Sequence, residues 1–426
     1  MSHTSTYLEG KAGIRVVLIF AAAYFLSYGF RAINAVIAPE LVADLHLSNA
    51  DLGLLSSAYF VGFASLQLPL GLWLDKYGPR RTESALLLFA AAGVALFASS
   101  STLIGLWCGR ALIGVGVSAC LMAPLKAYRS WYAPERQSQL ASWMLVFGTA
   151  GALSTTVPVA AALPVIGWRG VFWITCVLVL VAATLVFFQL HRVEHEHMAQ
   201  TVTQNHDDNS LSYWQIVTHP YFRRMALLGG VHQGGFMAVQ TLWAGPWMMH
   251  VLGLSATQTS QVLFAFNFCL MLSYVALSWW APKHVSYDEK PGWPALTVVG
   301  IGIGLSIALQ GAMLLLPFSW AWCLWIPFSL LVTVSTLAQT HVSLSFPSAQ
   351  VGQVNSAYNL SLFIGAFSVQ WGMGLLIDFF VANDWNYSLA MRLAWAVYLL
   401  IQLFALIRFI KSKARFDPEV KTPVTA

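Results

Sequence analysis

Tyr24, Tyr28 and Arg31, near the start of the chain, combine residue types and spacing suited to holding an anion. At 100° per residue they fall within about 60° of one another, so two phenols and a guanidinium share one helix face. A guanidinium offers a fixed fork of donors to a planar carboxylate, and phenols add hydrogen bonds at small desolvation cost. The competing reading is a structural arginine satisfied by backbone carbonyls. Arg110 and Lys126 are further cations in or at the end of an apolar stretch. On a straight helix they point about 160° apart, so the two cannot line one narrow cavity. If Arg110 packs between helices, Lys126 faces the path; its alternative is to snorkel to the interface.

Farther along, His232, Phe236, Gln240 and Trp243 form one helical stripe, with Gln233 beside it. Asn267, Gln339, His341, Tyr358, Asn359 and Gln370 are similar polar positions in apolar surroundings. Such residues face protein or a water-filled cavity, and helix–helix hydrogen bonds are the simpler explanation for each. The seventeen Asp and Glu residues read as lying in loops, tails or helix ends. With no embedded carboxylate, a cationic ligand is disfavoured, and ordinary carboxylate proton coupling is in doubt. His232 or His341 could titrate instead.

The elements that must position these groups follow from composition. The chain is 58% apolar and 9% charged, whereas soluble chains carry about 25% charged residues. Apolar stretches of about 20 residues, long enough to span a bilayer, recur at 14–37, 50–74, 82–100, 103–127, 138–162 and 169–190. They resume at 223–248, 256–281, 295–316, 320–343, 353–377 and 389–410. Without water in the bilayer core such spans must satisfy their own backbone, and runs without period-2 alternation favour helices over a barrel. The expectation is an all-α integral membrane protein of twelve transmembrane helices in two pseudo-symmetric six-helix bundles. The bundles occupy 1–190 and 223–410, with a cytoplasmic linker at 191–222 and a cytoplasmic tail at 411–426. Lysine and arginine cluster on the side of both termini, which selects an N-in, C-in topology. The net charge of +5 is this topological bias, so no nucleic-acid partner is read from it.

No cleavable signal is expected, because the run after Arg15 exceeds a signal h-region. The five cysteines fall within expected helices and suggest no disulfide framework. The linker carries His191, Glu194, His195, Glu196, His197, His206, Asp207 and Asp208. Their loose spacing, without cysteine or a fixed second shell, reads as a solvated linker, not a metal site. No cofactor is expected.

One motif has a definite spacing: Gly71-Leu72-Trp73-Leu74-Asp75-Lys76-Tyr77-Gly78-Pro79-Arg80-Arg81. Here Gly71 would allow close helix approach, Gly78 a tight turn, and Asp75 could pair with nearby cations. A second run, Gly109-Arg110-Ala111-Leu112-Ile113-Gly114-Val115-Gly116, places an arginine in a span. That costs about 2.5–3.5 kcal/mol on insertion scales, so Arg110, with Gly114 beside it, reads as structural, bonding backbone or polar groups of the first span, with substrate contact as the alternative. Together these stretches resemble the signature loop and the R-x-x-x-G-x-G pattern of the major facilitator superfamily. The resemblance implies a gating role for Gly71, Asp75, Lys76, Gly78, Arg80 and Arg81, with Asp75 facing a helix N-terminus of the other half.

Over about residues 20–175 the chain looks most like the organic-anion symporters of that superfamily. The likeness rests on Tyr28–Asn34, on Arg110, Gly114 and Lys126, on Trp131, Glu135 and Arg136, and on Gly167–Phe172. Two departures are Phe30, where that group has an aspartate, and Val117, near its fourth-span glutamate. The fifth span also lacks the G-P-x-x-G-G end of drug/proton antiporters. The resemblance implies a secondary transporter, not an enzyme, working by alternating access. Its substrate would be a small organic anion, a carboxylate, met by Arg31, Lys126, Tyr28, Tyr24, His232, Gln240, Trp243, Tyr358 and Asn359. The alternative is an exporter of amphipathic metabolites or drugs. The expected setting is the bacterial inner membrane, as a monomer, with H+ or Na+ as a possible coupling ion.

Overall fold

The computed structural model describes residues 7–67, 69–197, 213–287, 292–346 and 350–412. His206, Asp207, Asp208 and the tail beyond 412 lie outside them. The chain forms two compact units, one of residues 1–45 and 58–204, the other of 46–57 and 205–426. Apart from a two-residue β pair at Val285–Ser286 and Trp293–Pro294, the regular structure among the described residues is helical. Among the described residues, nine helical stretches are long and apolar enough to cross a bilayer.

The first unit is built on α1 (Gly10–Ala32), α2 (Asn34–Leu45), α3 (Asn49–Ser65), α4 (Pro69–Ser99), α5 (Leu103–Val117), α6 (Met122–Trp131), α7 (Pro134–Ser154), α8 (Val157–Gln189) and α9 (His191–His197). The expected 50–74 span is interrupted: α3 stops at Ser65 and Pro69 opens α4, as suits a residue lacking a backbone N–H. α4 contains the whole signature stretch and kinks at Gly78, whose φ of +78° favours glycine. The expected 138–162 span likewise breaks between α7 and α8 at Thr155 and Thr156. Small residues set how closely the helices approach. A Cβ added to Gly114 would stand 2.1 Å from the Tyr59 carbonyl oxygen, and one at Gly62 1.9 Å from that of Ala111. α3 and α5 are therefore in backbone contact.

The second unit comprises α10 (Tyr213–Thr218), α11 (Pro220–Gly229), α12 (Gly235–Ala238), α13 (Ala244–His250), α14 (Ala256–His284), α15 (Ala295–Leu315), α16 (Trp325–Thr333), α17 (Thr336–Ser345), α18 (Val351–Ala382) and α19 (Tyr387–Lys411). Two π-helical segments, Gly230–Gly234 and Val239–Trp243, interrupt the expected 223–248 span. A capping box of Ser255 and Gln258 starts α14, and the Asn386 side chain accepts from Leu389 N at 2.8 Å to start α19. The first turn of α3 also belongs to this unit. Asp378 on α18 accepts from Asn49 N at 3.0 Å and Ala50 N at 2.6 Å, a carboxylate at a helix N-terminus. The unit boundary thus falls inside α3, not only in the linker.

Candidate anion site

α1 delivers Tyr24, Tyr28 and Arg31 to one place, and α3 adds Tyr59 and Phe63. The Tyr24 and Tyr28 rings meet edge to face at 5.0 Å. The Arg31 guanidinium carbon lies 4.7 Å from the Tyr28 ring centre, 5.9 Å from Tyr59 and 5.6 Å from Phe63. Tyr59 is held in turn by its hydroxyl, which donates to Ser27 O at 3.3 Å. The buried Arg31 Nε has no hydrogen-bond partner, and no carboxylate pairs with Arg31 among the described residues. Cation–π contact can orient a guanidinium without neutralising it. The result is a positive charge held by aromatic rings, with donors to spare.

Tyr59 and Phe63 were not singled out from sequence. Their signal is the i, i+4 spacing on α3, but nothing in sequence says that this face meets Arg31. Gly148 on α7 completes the packing, since a Cβ there would stand 2.6 Å from the Tyr24 ring.

Lys126 does not join this cluster. It forms an ion pair with Asp75 within the first unit, so in this structure its charge is engaged by a carboxylate. Asp75 therefore spends its charge on α6 of its own unit. Gly71 also departs from expectation: a Cβ there would meet nothing within 4 Å, so it mediates no close approach. Arg80 is buried, its Nε donating to Glu194 Oε2 at 2.6 Å and its NH1 to Phe187 O at 3.0 Å. This ties the signature stretch to α9. Lys76 lies over the Tyr77 ring at 5.2 Å, and Arg81 is exposed.

Arg110 is fully buried, donates to Phe30 O at 2.9 Å, and stacks on Phe97 and Phe172. It thus bonds the backbone of α1 through NH1, while its buried Nε and NH2 have no hydrogen-bond partner among the described residues.

In the second unit the expected stripe is dispersed. A π turn inserts a residue into the helical repeat and rotates all that follow. His232 Nδ1 meets Gln402 Oε1 of α19 at 2.8 Å, and Gln402 exchanges hydrogen bonds with Gln310 of α15 at 2.9 and 3.1 Å. Gln240 donates to Asn267 Oδ1 at 2.7 Å, and Trp243 Nε1 to Gln370 O at 3.0 Å. Gln339 donates to Asn359 Oδ1 at 3.1 Å. Tyr358 is buried against Gly229, where a Cβ would stand 2.3 Å from its hydroxyl oxygen. His341 Nδ1 lies 2.5 Å from the Tyr221 hydroxyl. Several of these groups satisfy one another, but the buried His232 Nε2, Gln233 Oε1, Tyr358 hydroxyl and Gln370 Oε1 have no hydrogen-bond partner among the described residues.

One acid contradicts the census made from sequence. Glu83 lies inside α4, fully buried, not at a helix end.

Residues 20–370 match the profile of the Major Facilitator Superfamily. The galacturonate transporter of Dickeya chrysanthemi is 26% identical over 276 residues, covering 59% of this chain and 78% of that protein. The hexuronate transporter of Escherichia coli is 27% identical over 179 residues, covering 41% and 40%. A bacterial homologue of the human lysosomal transporter Spinster, inward-facing and occupied, superposes with a TM-score of 0.74 at 15% identity. That alignment covers 96% of this chain and 100% of the other. A D-xylose–proton symporter gives 0.71 at 16% identity, covering 94% and 98%. Both structural likenesses bear on the fold alone. With helices of bilayer length throughout and a family match over most of its length, this chain belongs to the Major Facilitator Superfamily: a multi-pass membrane transporter, not an enzyme.

Proposed function

We propose that this transporter carries a small organic anion whose carboxylate is held by Arg31. The observation that carries the reading is the Arg31 guanidinium, ringed by Tyr28, Tyr59 and Phe63 and lacking an acidic partner among the described residues. A cation kept in an apolar setting without a counter-ion is costly, and an incoming carboxylate relieves that cost. Tyr24 and Tyr28 supply further donors, and Tyr59 fixes the guanidinium. The galacturonate and hexuronate transporters among its relatives support an acid sugar as the substrate class. In this reading twelve helices cross a bacterial inner membrane with both termini inside. The interrupted stretches around Gln67, Thr155 and the two π segments complete the three spans beyond the nine helical stretches of bilayer length. Transport then proceeds by alternate opening of a site to the two sides.

The test is flux into proteoliposomes, with D-galacturonate and the neutral sugar D-galactose as probes. Wild-type protein should carry the acid and not the neutral sugar, and Arg31→Ala should slow the acid at least about tenfold. Equal rates for wild type and Arg31→Ala would remove Arg31 as the anchor. Carriage of lipophilic cations with neither acid nor sugar moved would favour the exporter reading instead.

A further inference from the structure

Glu83 is the one fully buried carboxylate among the described residues whose two oxygens both lack a hydrogen-bond partner of ordinary geometry. It sits five residues beyond the Gly78 kink, about 7–8 Å along α4. The titratable groups that face it are the Cys120 thiol and the Tyr128 phenol, both buried. Tyr128 is engaged elsewhere, its hydroxyl lying 3.3 Å from Met144 Sδ. Cys120 lies in the four-residue turn 118–121 that separates α5 from α6, so the acid faces a break in a spanning helix.

The charged groups of the packed elements are either paired elsewhere or exposed, as Lys76, Arg81, Arg129 and Arg192 are. On α4 itself Asp75 pairs with Lys126 of α6, and Arg80 with Glu194 of α9. On α5 Arg110 donates to Phe30 O, and on α8 the Cys176 thiol donates to Ala91 O, eight residues beyond Glu83. No cation stands within salt-bridge distance of Glu83 among the described residues. An ionised carboxylate here has no counter-charge, while a neutral acid needs none. Structural acids in such places are normally paired, as Glu194 is. An unpaired one marks an ion or proton pathway.

We propose that Glu83 is a proton-binding site that takes up and releases a proton during the transport cycle, coupling anion movement to protons. The coupling half of this inference rests on the anion reading above; the proton site itself does not. The neutral acid is the form that suits the buried position seen here. Opening at the 118–121 turn admits water, to which the acid loses its proton as it becomes a carboxylate.

The experiment pairs two readouts on the purified, reconstituted chain. Infrared difference spectra between about pH 5 and about pH 9 should show a protonated-carboxyl band in wild type that bleaches as pH rises. That band should be absent from Glu83→Gln, which keeps the shape of the neutral acid. A band absent from wild type, unchanged by pH, or retained in Glu83→Gln overturns the proposal. In vesicles, Glu83→Gln should lose pH-gradient-driven accumulation of D-galacturonate at least about tenfold while keeping galacturonate exchange. Glu83→Asp should restore part of the accumulation and bring back a titrating band. Gradient-driven accumulation at the wild-type level in Glu83→Gln overturns the coupling. A titrating Glu83 band with no galacturonate movement by any variant sinks the anion reading and leaves the proton site standing.

Discussion

In the first unit the guanidinium of Arg31 lies among three rings and Glu83 lies buried, neither with a partner of opposite charge among the described residues. In the second unit several embedded polar residues bond to one another: Gln240 to Asn267, Gln339 to Asn359, and His232 Nδ1 to Gln402 and so to Gln310. The contrast is energetic. A group already hydrogen-bonded in the resting protein must give up that partner before it can hold a ligand, so its net contribution to binding is small. A charge without a partner gains the whole interaction. On the anion reading proposed above, Arg31 supplies most of the binding energy, and the bonded polar pairs of the second unit hold its helices in register.

The sharpest way to break this comparison is at Arg31. Arg31→Ala should weaken anion binding by about 2–4 kcal/mol, or roughly 30- to 1000-fold, with a near-normal melting temperature. Isothermal titration with D-galacturonate measures the first and a thermal-shift assay the second. Gln402→Leu should do the reverse. It leaves His232 Nδ1 and Gln310 Nε2 unpartnered in the interior while Gln310 Oε1 keeps Trp395 Nε1 at 3.2 Å, at a cost of about 2–3 kcal/mol of stability, with galacturonate affinity unchanged. If instead affinity collapses and stability holds, the assignment of the second unit to structure is wrong.

Smaller effects sharpen the picture. His219 caps α11, its Nδ1 accepting from Tyr221 N at 3.2 Å, and burial lowers its pKa below the usual 6.5. The neutral ring is thus the folded form. Its contribution is complete above the unfolded pKa and is lost as pH falls through the folded value. His219→Asn, a cap that does not titrate, should erase this pH-dependent loss of about 1 kcal/mol or less. The measurement is melting temperature of wild type and variant between about pH 8 and about pH 5. Smallest of all is the pair of Lys126 and Asp75, where the Asp75 side chain is 73% exposed. Lys126→Ala should change stability by less than about 1 kcal/mol and leave galacturonate affinity intact. A loss of affinity like that of Arg31→Ala would place Lys126 among the anchors.

Much of this was legible in the chain itself. The composition and the repeated apolar runs determined a helical membrane protein, because only a self-satisfied backbone survives in lipid. The spacing from Gly71 to Arg81 and from Arg110 to Gly116 pointed to the superfamily. The 100° rule placed Tyr24, Tyr28 and Arg31 on one face, and α1 is an uninterrupted helix from Gly10 to Ala32. The same rule failed from His232 to Trp243, where two π segments rotate the residues that follow; nothing in a periodicity count announces an inserted residue.

Pairing across helices was beyond the sequence altogether. Lys126 looked free because Asp75 is fifty-one residues away along the chain, and Glu83 looked terminal because it follows a charged turn. Tertiary structure joined the first pair and buried the second residue. Arg31 stays a candidate anchor for a reason the sequence could raise but not decide. Its type offers a fork of donors, and only the packing of α1 against α3 leaves that fork among rings with no acid to answer it.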